Sequence, residues 1–292
     1  MATVRIDSHQ HFWRYEPREF AWIDDRMQTI RRDFLPPDLA PILRGAGIDG
    51  CIAVQAPQTL AETRFLLECA RSAPFVRGVV GWVDLRSPDV GDQLREFAGD
   101  PRFVGVRHIA QGEPDPRFLV QPDFLRGIAQ LQPFDLVYDV LVFPHQLPAA
   151  IELCARFPQQ RFVLDHLAKP YIRRGDRQPW ADDLSKLASL PNVACKLSGM
   201  VTEADWAAWN PAQLKPYLDH ALAVFGPERL LFGSDWPVCL VASDYQRWVD
   251  TVAALLSHLH PDQCDAIFGG NAVRWYRLPL PTAGDLRTQG PN

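Results

Sequence analysis

The segment VRIDSHQHFW, residues 4–13, joins a short apolar run directly to polar residues, and the same junction recurs along the chain. Eight β-rich apolar runs, each followed by residues with helical spacing, span 4–7, 50–55, 76–85, 103–108, 136–142, 161–165, 193–197 and 230–232. Their hydrophobicity is nearly continuous rather than alternating, which is typical of parallel strands covered on both faces. Eight such units in a chain of 292 residues predict an α/β protein, a single TIM-type (β/α)8 barrel domain over residues 1–278.

The stretches between the runs carry helix boundary signals. Thr59 and Ser243 each precede a Glu or Gln by three residues, which is the pattern of a capping box, and Asn210 precedes a proline. Gly226, followed by proline, is predicted to end the helix that Asn210 starts. The alternative fold is an open doubly wound sheet, but no G-x-G-x-x-G turn follows the first run. Residues 279–292 are predicted to form an extended or disordered tail.

Charge and composition narrow the range of partners and compartments. The formal net charge is −5, with acidic and basic residues mixed along the whole length, so nucleic acid is not an expected partner. No apolar run approaches the ~18 residues of a membrane span, and no secretory segment precedes the first strand, so we expect a cytoplasmic protein without a membrane partner. The six cysteines are spread singly and predict buried free thiols. A homo-oligomer remains open at this stage.

Polar residues cluster where the apolar runs end, and in a parallel barrel these ends meet at one mouth. His9 and His11 are two residues apart on an extended chain, so their imidazoles should point to the same side. That spacing suits two ligands of one metal ion or two donors around one oxyanion. Taken alone, the pair is equally consistent with histidines hydrogen-bonded to backbone. The additional His166 after the sixth run and Asp235 after the eighth favour a shared site.

Six segments carry a resemblance to a known family. They are DSHQHFW (7–13), GVRH (105–108), VLDHLAKP (163–170), KLSG (196–199), FGSDWP (232–237) and GNA (270–272). Together they resemble the amidohydrolase superfamily over about residues 3–278. More narrowly they resemble its sugar-lactonase branch, which includes L-fuconolactone and L-rhamnonolactone hydrolases and is related to 2-pyrone-4,6-dicarboxylate lactonase.

The resemblance implies that Asp235 is the general base that activates water, with His9, His11 and His166 around the reacting carbonyl. A carboxylate near histidines stays ionised at neutral pH and can deprotonate water, while imidazoles or a metal ion can stabilise charge on the carbonyl oxygen. The alternative for Asp235 is a buried structural salt bridge.

The predicted metal content departs from that of the metal-rich relatives, which use a bridging carboxylated lysine or glutamate and histidines from two consecutive later strands. Here the fourth run ends in Arg107 and His108, so we do not expect a two-metal site. One divalent ion, zinc, held by His9, His11 and Asp235 and also within reach of His166, is compatible with the pattern. Because a lactone is an activated ester, we expect the reaction not to require that ion.

Further residues at the strand ends are candidates for substrate binding. The candidate donors are Gln55, Arg107, His108, Tyr138, Lys169 and Lys196, and the candidate flat apolar walls are Trp13, Trp82 and Trp236. A surface ion pair is the alternative for Arg107 and His108, loop anchoring for Lys169, and core packing for each tryptophan.

Three functional hypotheses follow from this pattern. The first is hydrolysis of a small-molecule sugar-acid lactone to the aldonic acid. The second is a single-zinc amidase or decarboxylase of the same superfamily, which would depend strictly on metal. The third is a barrel that binds a sugar acid or a structural partner without turnover, because the fold alone does not establish catalysis.

Overall fold

Eight parallel strands form one sheet in chain order in the computed structural model, which describes residues 4–279. They are β1 (Ile6–Gln10), β2 (Gly50–Val54), β3 (Val76–Gly81), β4 (Phe103–His108), β5 (Val137–Val140), β6 (Phe162–Leu164), β7 (Val193–Leu197) and β8 (Leu230–Phe232). The segment after β8 returns to β1, where Asp235 N–H donates to His9 O (2.8 Å) and His11 N–H donates to Trp236 O (2.7 Å). These contacts close the sheet, so the predicted barrel is confirmed. The predicted tail, apart from Pro279, lies outside the described residues.

Helices connect successive strands around the outside of the sheet. They are α1 (Pro36–Gly45), α2 (Leu60–Ser72), α3 (Val90–Phe97), α4 (Pro122–Ile128), α5 (Leu147–Arg156), α6 (Trp180–Ala188), α7 (Met200–Glu203), α8 (Pro211–Phe225), α9 (Tyr245–Leu255), α10 (Pro261–Asp265) and α11 (Asn271–Tyr276). Within residues 4–279, no helix is long and apolar enough to cross a membrane.

The helix starts were predicted correctly at two of three positions. Asn210 caps α8, and Thr59 Oγ1 accepts a hydrogen bond from Glu62 N–H (3.1 Å) at the start of α2. The predicted cap at Ser243 is wrong by one residue, because the Asp244 carboxylate accepts the hydrogen bond from Arg247 N–H (2.8 Å). An ionised carboxylate interacts favourably with the positive end of the helix dipole, which explains why the aspartate takes the capping position.

Several strands begin or end at other residues than the apolar runs that predicted them. The third apolar run continues to Leu85, but β3 ends at Gly81. Val83 and Leu85 are buried in the larger hydrophobic cluster outside the barrel interior, which we call the outer core, although neither pairs with a neighbouring strand. Apolar character records burial rather than strand pairing, so it overestimates this strand.

The interior of the barrel is divided into an apolar floor and a polar mouth. The floor consists of inward side chains from the strands, together with side chains from α11 and the segment just after it: Ile6, Ile52, Val54, Val80, Val104, Val137, Val163, Ala194, Leu231, Trp275, Tyr276 and Leu278. Above it, towards the carboxyl ends of the strands, the buried side chains of Asp139, Asp165 and Lys196 are charged. The functional site therefore rests on charged groups that have almost no contact with water.

Candidate active site

Three imidazoles surround one carboxylate at the mouth of the barrel. Asp235 Oδ1 lies 3.4 Å from His11 Nε2, 3.8 Å from His9 Nε2 and 3.9 Å from His166 Nε2. The two nitrogens of the β1 pair, His9 Nε2 and His11 Nε2, are 3.2 Å apart. We call these four residues the His/Asp cluster. All four side chains are buried, so the sequence prediction that they converge agrees with the geometry.

A register irregularity in β1 turns His9 into the barrel. Strand pairing with β2 shifts between Asp7 and Gln10. Ile6 faces the apolar floor, and His9, three residues later, contacts Asp165 and Lys196 inside the barrel. Strict alternation would place residues three apart on opposite faces, so the irregularity lets both point inward.

Asp7 joins the two chain segments that carry the His/Asp cluster. Its carboxylate accepts hydrogen bonds from His9 N–H (3.1 Å), Ser234 N–H (2.8 Å), Ser234 Oγ (2.6 Å) and Tyr245 Oη (3.0 Å). Asp235, the next residue, adopts a left-handed backbone with φ of 58°. Such a conformation costs a non-glycine residue roughly 1–2 kcal/mol, and the bonds to Asp7 hold the segment in it.

The turn after β6 presents His166 through a run of left-handed residues. His166, Leu167, Ala168 and Lys169 all have φ between 50° and 58°. His166 Nδ1 lies 2.8 Å from Ser198 Oγ, which orients the ring. Gly199 makes room for that ring, since a Cβ atom on it would lie 2.6 Å from His166 Nδ1. Gly233 does the same for β1, since its Cβ would lie 2.8 Å from His9 Cβ.

A buried charge network lies directly behind His9. Lys196 Nζ contacts Asp139 Oδ2, Asp165 Oδ1 (2.9 Å) and His9 Nδ1 (3.1 Å). Arg107 Nη1 donates to Asp165 Oδ2 (3.0 Å). Two cations therefore balance two carboxylates, which is the condition under which charges can remain buried. Burial alone would raise the pKa of Asp165, but Lys196 and His9 keep it well below its usual value.

The protonation states of the His/Asp cluster follow from burial. Burial lowers the pKa of His166 to about 4 and lowers the pKa of His9 well below its usual value, so both rings are neutral at pH 7. Burial alone would raise the pKa of Asp235, but the nearby imidazoles of His166 and His11 bring it below its usual value. The site thus combines an ionised carboxylate with neutral imidazoles, an arrangement that can accept a proton from water.

The donor set of the His/Asp cluster fits a divalent ion. Four nitrogen or oxygen ligands in a tetrahedral zinc site lie about 3.3 Å apart, and the ligand atoms of His9, His11 and Asp235 are separated by 3.2 to 3.8 Å. His11 Nδ1 donates to Val54 O (2.7 Å), which leaves the lone pair of Nε2 facing into the cluster. These three residues could hold a metal.

The His9 imidazole also has hydrogen-bond partners within the protein that do not depend on a bound metal. Its Nδ1 lies 3.2 Å from Asp165 Oδ1 and 3.1 Å from Lys196 Nζ. When Nδ1 carries the proton, it donates to Asp165 and Nε2 has a lone pair for an ion. When Lys196 donates to Nδ1, the proton sits on Nε2, opposite the lone pair of His11 Nε2. Both tautomers have partners for Nδ1.

A second group of metal-type ligands, His9, Asp165 and His166, lies alongside the first. The Lys196 ammonium group contacts both Asp165 and His9 on that side. A cation of the chain itself therefore lies against this second group.

Several candidate substrate donors are already engaged within the protein. Lys196, predicted to donate to the substrate, is fully buried and its ammonium group contacts Asp139, Asp165 and His9 within the protein. Arg107 faces the site as predicted and is no surface ion pair, but its N–H groups contact Gln55, Asp165 and His9. His108 contacts Glu113 Oε1 through Nε2 (2.7 Å) and receives Trp82 Nε1–H at Nδ1 (3.5 Å).

The aromatic candidates for substrate binding differ in how deeply they are buried. Tyr138, predicted to bind a substrate hydroxyl, faces away from the barrel axis and packs against Phe124 and Phe162, so that prediction is wrong. Trp13 and Trp236 are almost fully buried and belong to the outer core, which is the packing role left open by the sequence. Trp82 is half-buried beside His108.

Sequence reasoning missed four carboxylates around the site. Asp139 and Asp165 form the charge network, Glu203 pairs with the candidate Lys169 (3.7 Å), and Glu62 accepts a hydrogen bond from Ala56 N–H (3.0 Å). The alternation along β5 held a signal for Asp139, because Val137 lies in the apolar floor and the residue two positions later must share its face. The same argument excludes Tyr138 from the barrel interior.

The fold is a (β/α)8 barrel, and the His/Asp cluster lies at the carboxyl ends of its strands, where such barrels carry their active sites. An ionised carboxylate beside imidazoles is suited to hydrolysis by an activated water. The amidohydrolase family profile matches residues 6–278. An L-fucono-1,5-lactonase from Burkholderia multivorans is 45% identical, over 98% of this chain and 100% of the relative. An L-fucono-1,5-lactonase from Burkholderia ambifaria is 40% identical, over 98% of this chain and 100% of the relative.

A crystal structure of an amidohydrolase from Burkholderia multivorans with bound zinc superposes with a TM-score of 0.92 at 44% identity, covering 94% of this chain and 100% of that one. The chain belongs to the amidohydrolase family. The resemblance to its sugar-lactonase branch is confirmed by the two lactonases.

Proposed function

We propose that this protein hydrolyses the lactone of a sugar acid to the free aldonic acid, with L-fucono-1,5-lactone as the first substrate to test. The observation that carries the proposal is the buried, ionised Asp235 surrounded by three imidazoles at the barrel mouth. The full-length similarity to two L-fucono-1,5-lactonases supports the choice of substrate.

Asp235 acts as the base. Its carboxylate removes a proton from water while the water oxygen bonds to the lactone carbonyl carbon, and the carbonyl π electrons move onto oxygen to give a tetrahedral oxyanion. The oxyanion then re-forms the carbonyl, and the bond from the carbonyl carbon to the ring oxygen breaks. The proton held by Asp235 passes to the departing ring oxygen, which becomes the sugar hydroxyl. One water is consumed, and the carboxylate returns to its starting state.

His9 and His166 position the reactants rather than supplying positive charge. His9 and His166 are neutral at pH 7, because burial lowers their pKa values. Neutral rings can donate one hydrogen bond and accept another, which suits the orientation of a water next to Asp235. The hydrogen bonds of His11 to Val54 O and of His166 to Ser198 hold the rings in place.

A divalent ion, zinc in particular, would be held by His9, His11 and Asp235, with His166 at the edge of the group. When bound, it would supply Lewis-acid polarisation of the carbonyl and would acidify water. We propose that the reaction does not require the ion, since His9 has hydrogen-bond partners in both tautomers and the lactone is an activated ester.

The test is a panel of aldono-1,5- and aldono-1,4-lactones, followed by acid release with a pH indicator, with heat-denatured protein as the control for spontaneous opening. We expect enzymatic opening of at least one lactone, with the fuconolactone among the best. Failure to open every lactone in a broad panel would overturn the proposal. Strict zinc dependence together with amide cleavage or release of carbon dioxide would instead support the second hypothesis.

A further inference from the structure

Gln55 lies at the carboxyl end of β2, and its side chain is fully buried. Its backbone N–H donates to Val80 O (2.8 Å), which ties the residue to β3. The carbonyl oxygen of the preceding residue, Val54, accepts a hydrogen bond from His11 Nδ1 (2.7 Å). Gln55 is therefore adjacent in the chain to the group that orients one imidazole of the His/Asp cluster.

Arg107 fixes the orientation of the Gln55 amide. Its Nε and Nη2 atoms donate to Gln55 Oε1 (3.1 and 2.8 Å), and Nη2 also donates to the Gln55 backbone oxygen. Exchanging the oxygen and nitrogen of the amide would set donors against donors, so the carbonyl end must face the guanidinium group. On its other side, Arg107 Nη1 contacts Asp165 (3.0 Å) and His9 Nε2 (3.3 Å), which anchors the pair to the site.

The other end of the amide is an unsatisfied donor. Gln55 Nε2 is buried and finds no hydrogen-bond acceptor in the described part of the chain. Leaving a buried donor unpaired costs roughly 1–3 kcal/mol, and such groups in native proteins call for an explanation. The neighbouring cationic nitrogens differ from it, because Lys196 Nζ contacts Asp139 and Asp165 and each side-chain nitrogen of Arg107 has an acceptor in Gln55 or Asp165.

The chemistry of this donor selects its partner. An amide NH2 group donates hydrogen bonds and accepts none, whereas a sugar hydroxyl does both. In a lactone, the carbonyl oxygen and the ring oxygen only accept hydrogen bonds. The carbonyl oxygen is the stronger acceptor of the two, and its demand for hydrogen bonds rises when it becomes an oxyanion. Arg107 also polarises the amide through Oε1, which strengthens the N–H groups as donors.

We infer that Gln55 Nε2 donates a hydrogen bond to the lactone carbonyl oxygen and to the oxyanion that forms from it, an inference that rests on the proposed function. Gln55 is then a catalytic residue, and Arg107 is the positioning residue that holds it. No proton is transferred by Gln55, and its contribution is greatest when the oxygen carries negative charge.

Two substitutions separate donation from anchoring. Gln55→Glu keeps an oxygen for both guanidinium contacts but replaces the NH2 group by a second oxygen. Gln55→Met removes the donor and the anchor together. If Gln55 donates, both variants lose about 10²-fold in kcat on L-fucono-1,5-lactone with only small changes in KM, as is typical for removal of one oxyanion donor.

The outcome that would overturn the inference is specific. If Gln55 only anchors Arg107, Gln55→Glu keeps kcat within a few-fold of the unmodified enzyme and only Gln55→Met is impaired. Gln160→Met is the matched control, because Gln160 is also buried but donates to Leu136 O (2.7 Å) near the start of β5, away from the site. We expect it to lower thermal stability and to leave kcat unchanged.

The same experiment distinguishes this inference from the proposed function. Turnover by the unmodified enzyme and by Gln55→Glu at similar rates would overturn the role of Gln55 alone. The absence of turnover of any lactone by the unmodified enzyme would overturn both. Circular dichroism and thermal unfolding of each variant verify that a loss of kcat occurs in folded protein.

Discussion

The substitution Gly199→Ala should separate the placement of His166 from the stability of the fold. Gly199 has φ of 64°, and an added Cβ would lie 2.6 Å from His166 Nδ1, whereas ordinary contact begins at 3.4 Å. The ring must therefore retreat by about 0.8 Å, at the expense of its 2.8 Å contact with Ser198 Oγ.

Two energies add up in this variant. The left-handed backbone costs alanine about 1–2 kcal/mol, and the lost hydrogen bond costs about 1 kcal/mol. A total of about 2–3 kcal/mol corresponds to a decrease in Tm of roughly 5–10 °C for a chain of this size. A shift of catalytic groups by close to 1 Å lowers kcat by about 10²-fold. The measurements are thermal unfolding followed by circular dichroism and lactone hydrolysis followed with a pH indicator.

Gly175→Ala provides the matched control. Gly175 has φ of 74°, and its added Cβ would meet no atom within 4 Å. This variant carries the same backbone strain without the contact to His166, so it should lose about 1–2 kcal/mol of stability and keep the kcat of the unmodified enzyme. Equal kcat values for Gly199→Ala and Gly175→Ala would refute the argument that Gly199 positions His166.

Three further predictions concern the base, the metal and a buried acid. Asp235→Asn should lower kcat by about 10³-fold with a modest change in KM, and steady-state kinetics showing a preserved kcat would remove the assigned base. Treatment with a chelator should leave most of the lactonase activity, whereas complete loss that zinc restores would contradict metal independence; metal analysis before and after treatment checks removal. Burial raises the pKa of Glu62 to about 8, so its ionisation opposes folding, and stability should fall from about pH 4.5 to 8. Glu62→Gln should show a flatter stability profile over this range in denaturant titrations, and parallel profiles would argue against the raised pKa.

The barrel and the members of the His/Asp cluster could be predicted from the sequence. Each apolar run reports a buried strand by itself, and parallel strands in a closed barrel bring their carboxyl ends to one mouth. His9, His11, His166 and Asp235 follow such runs, so their convergence required no knowledge of individual contacts. Apolar character was less informative about strand ends, because Val83 and Leu85 are buried without strand pairing.

Only the tertiary structure decided which polar groups remain free for a ligand. Lys196 and Arg107 look like substrate donors in the sequence, but Lys196 contacts Asp139 and Asp165, and Arg107 donates to Gln55 and Asp165. Gln55 is one of six candidate donors in the sequence, and only the contacts with Arg107 show that one end of its amide is left without a partner. These differences depend on distances of about 3 Å between strands far apart in sequence, and such distances follow from the register and closure of the sheet rather than from any local pattern.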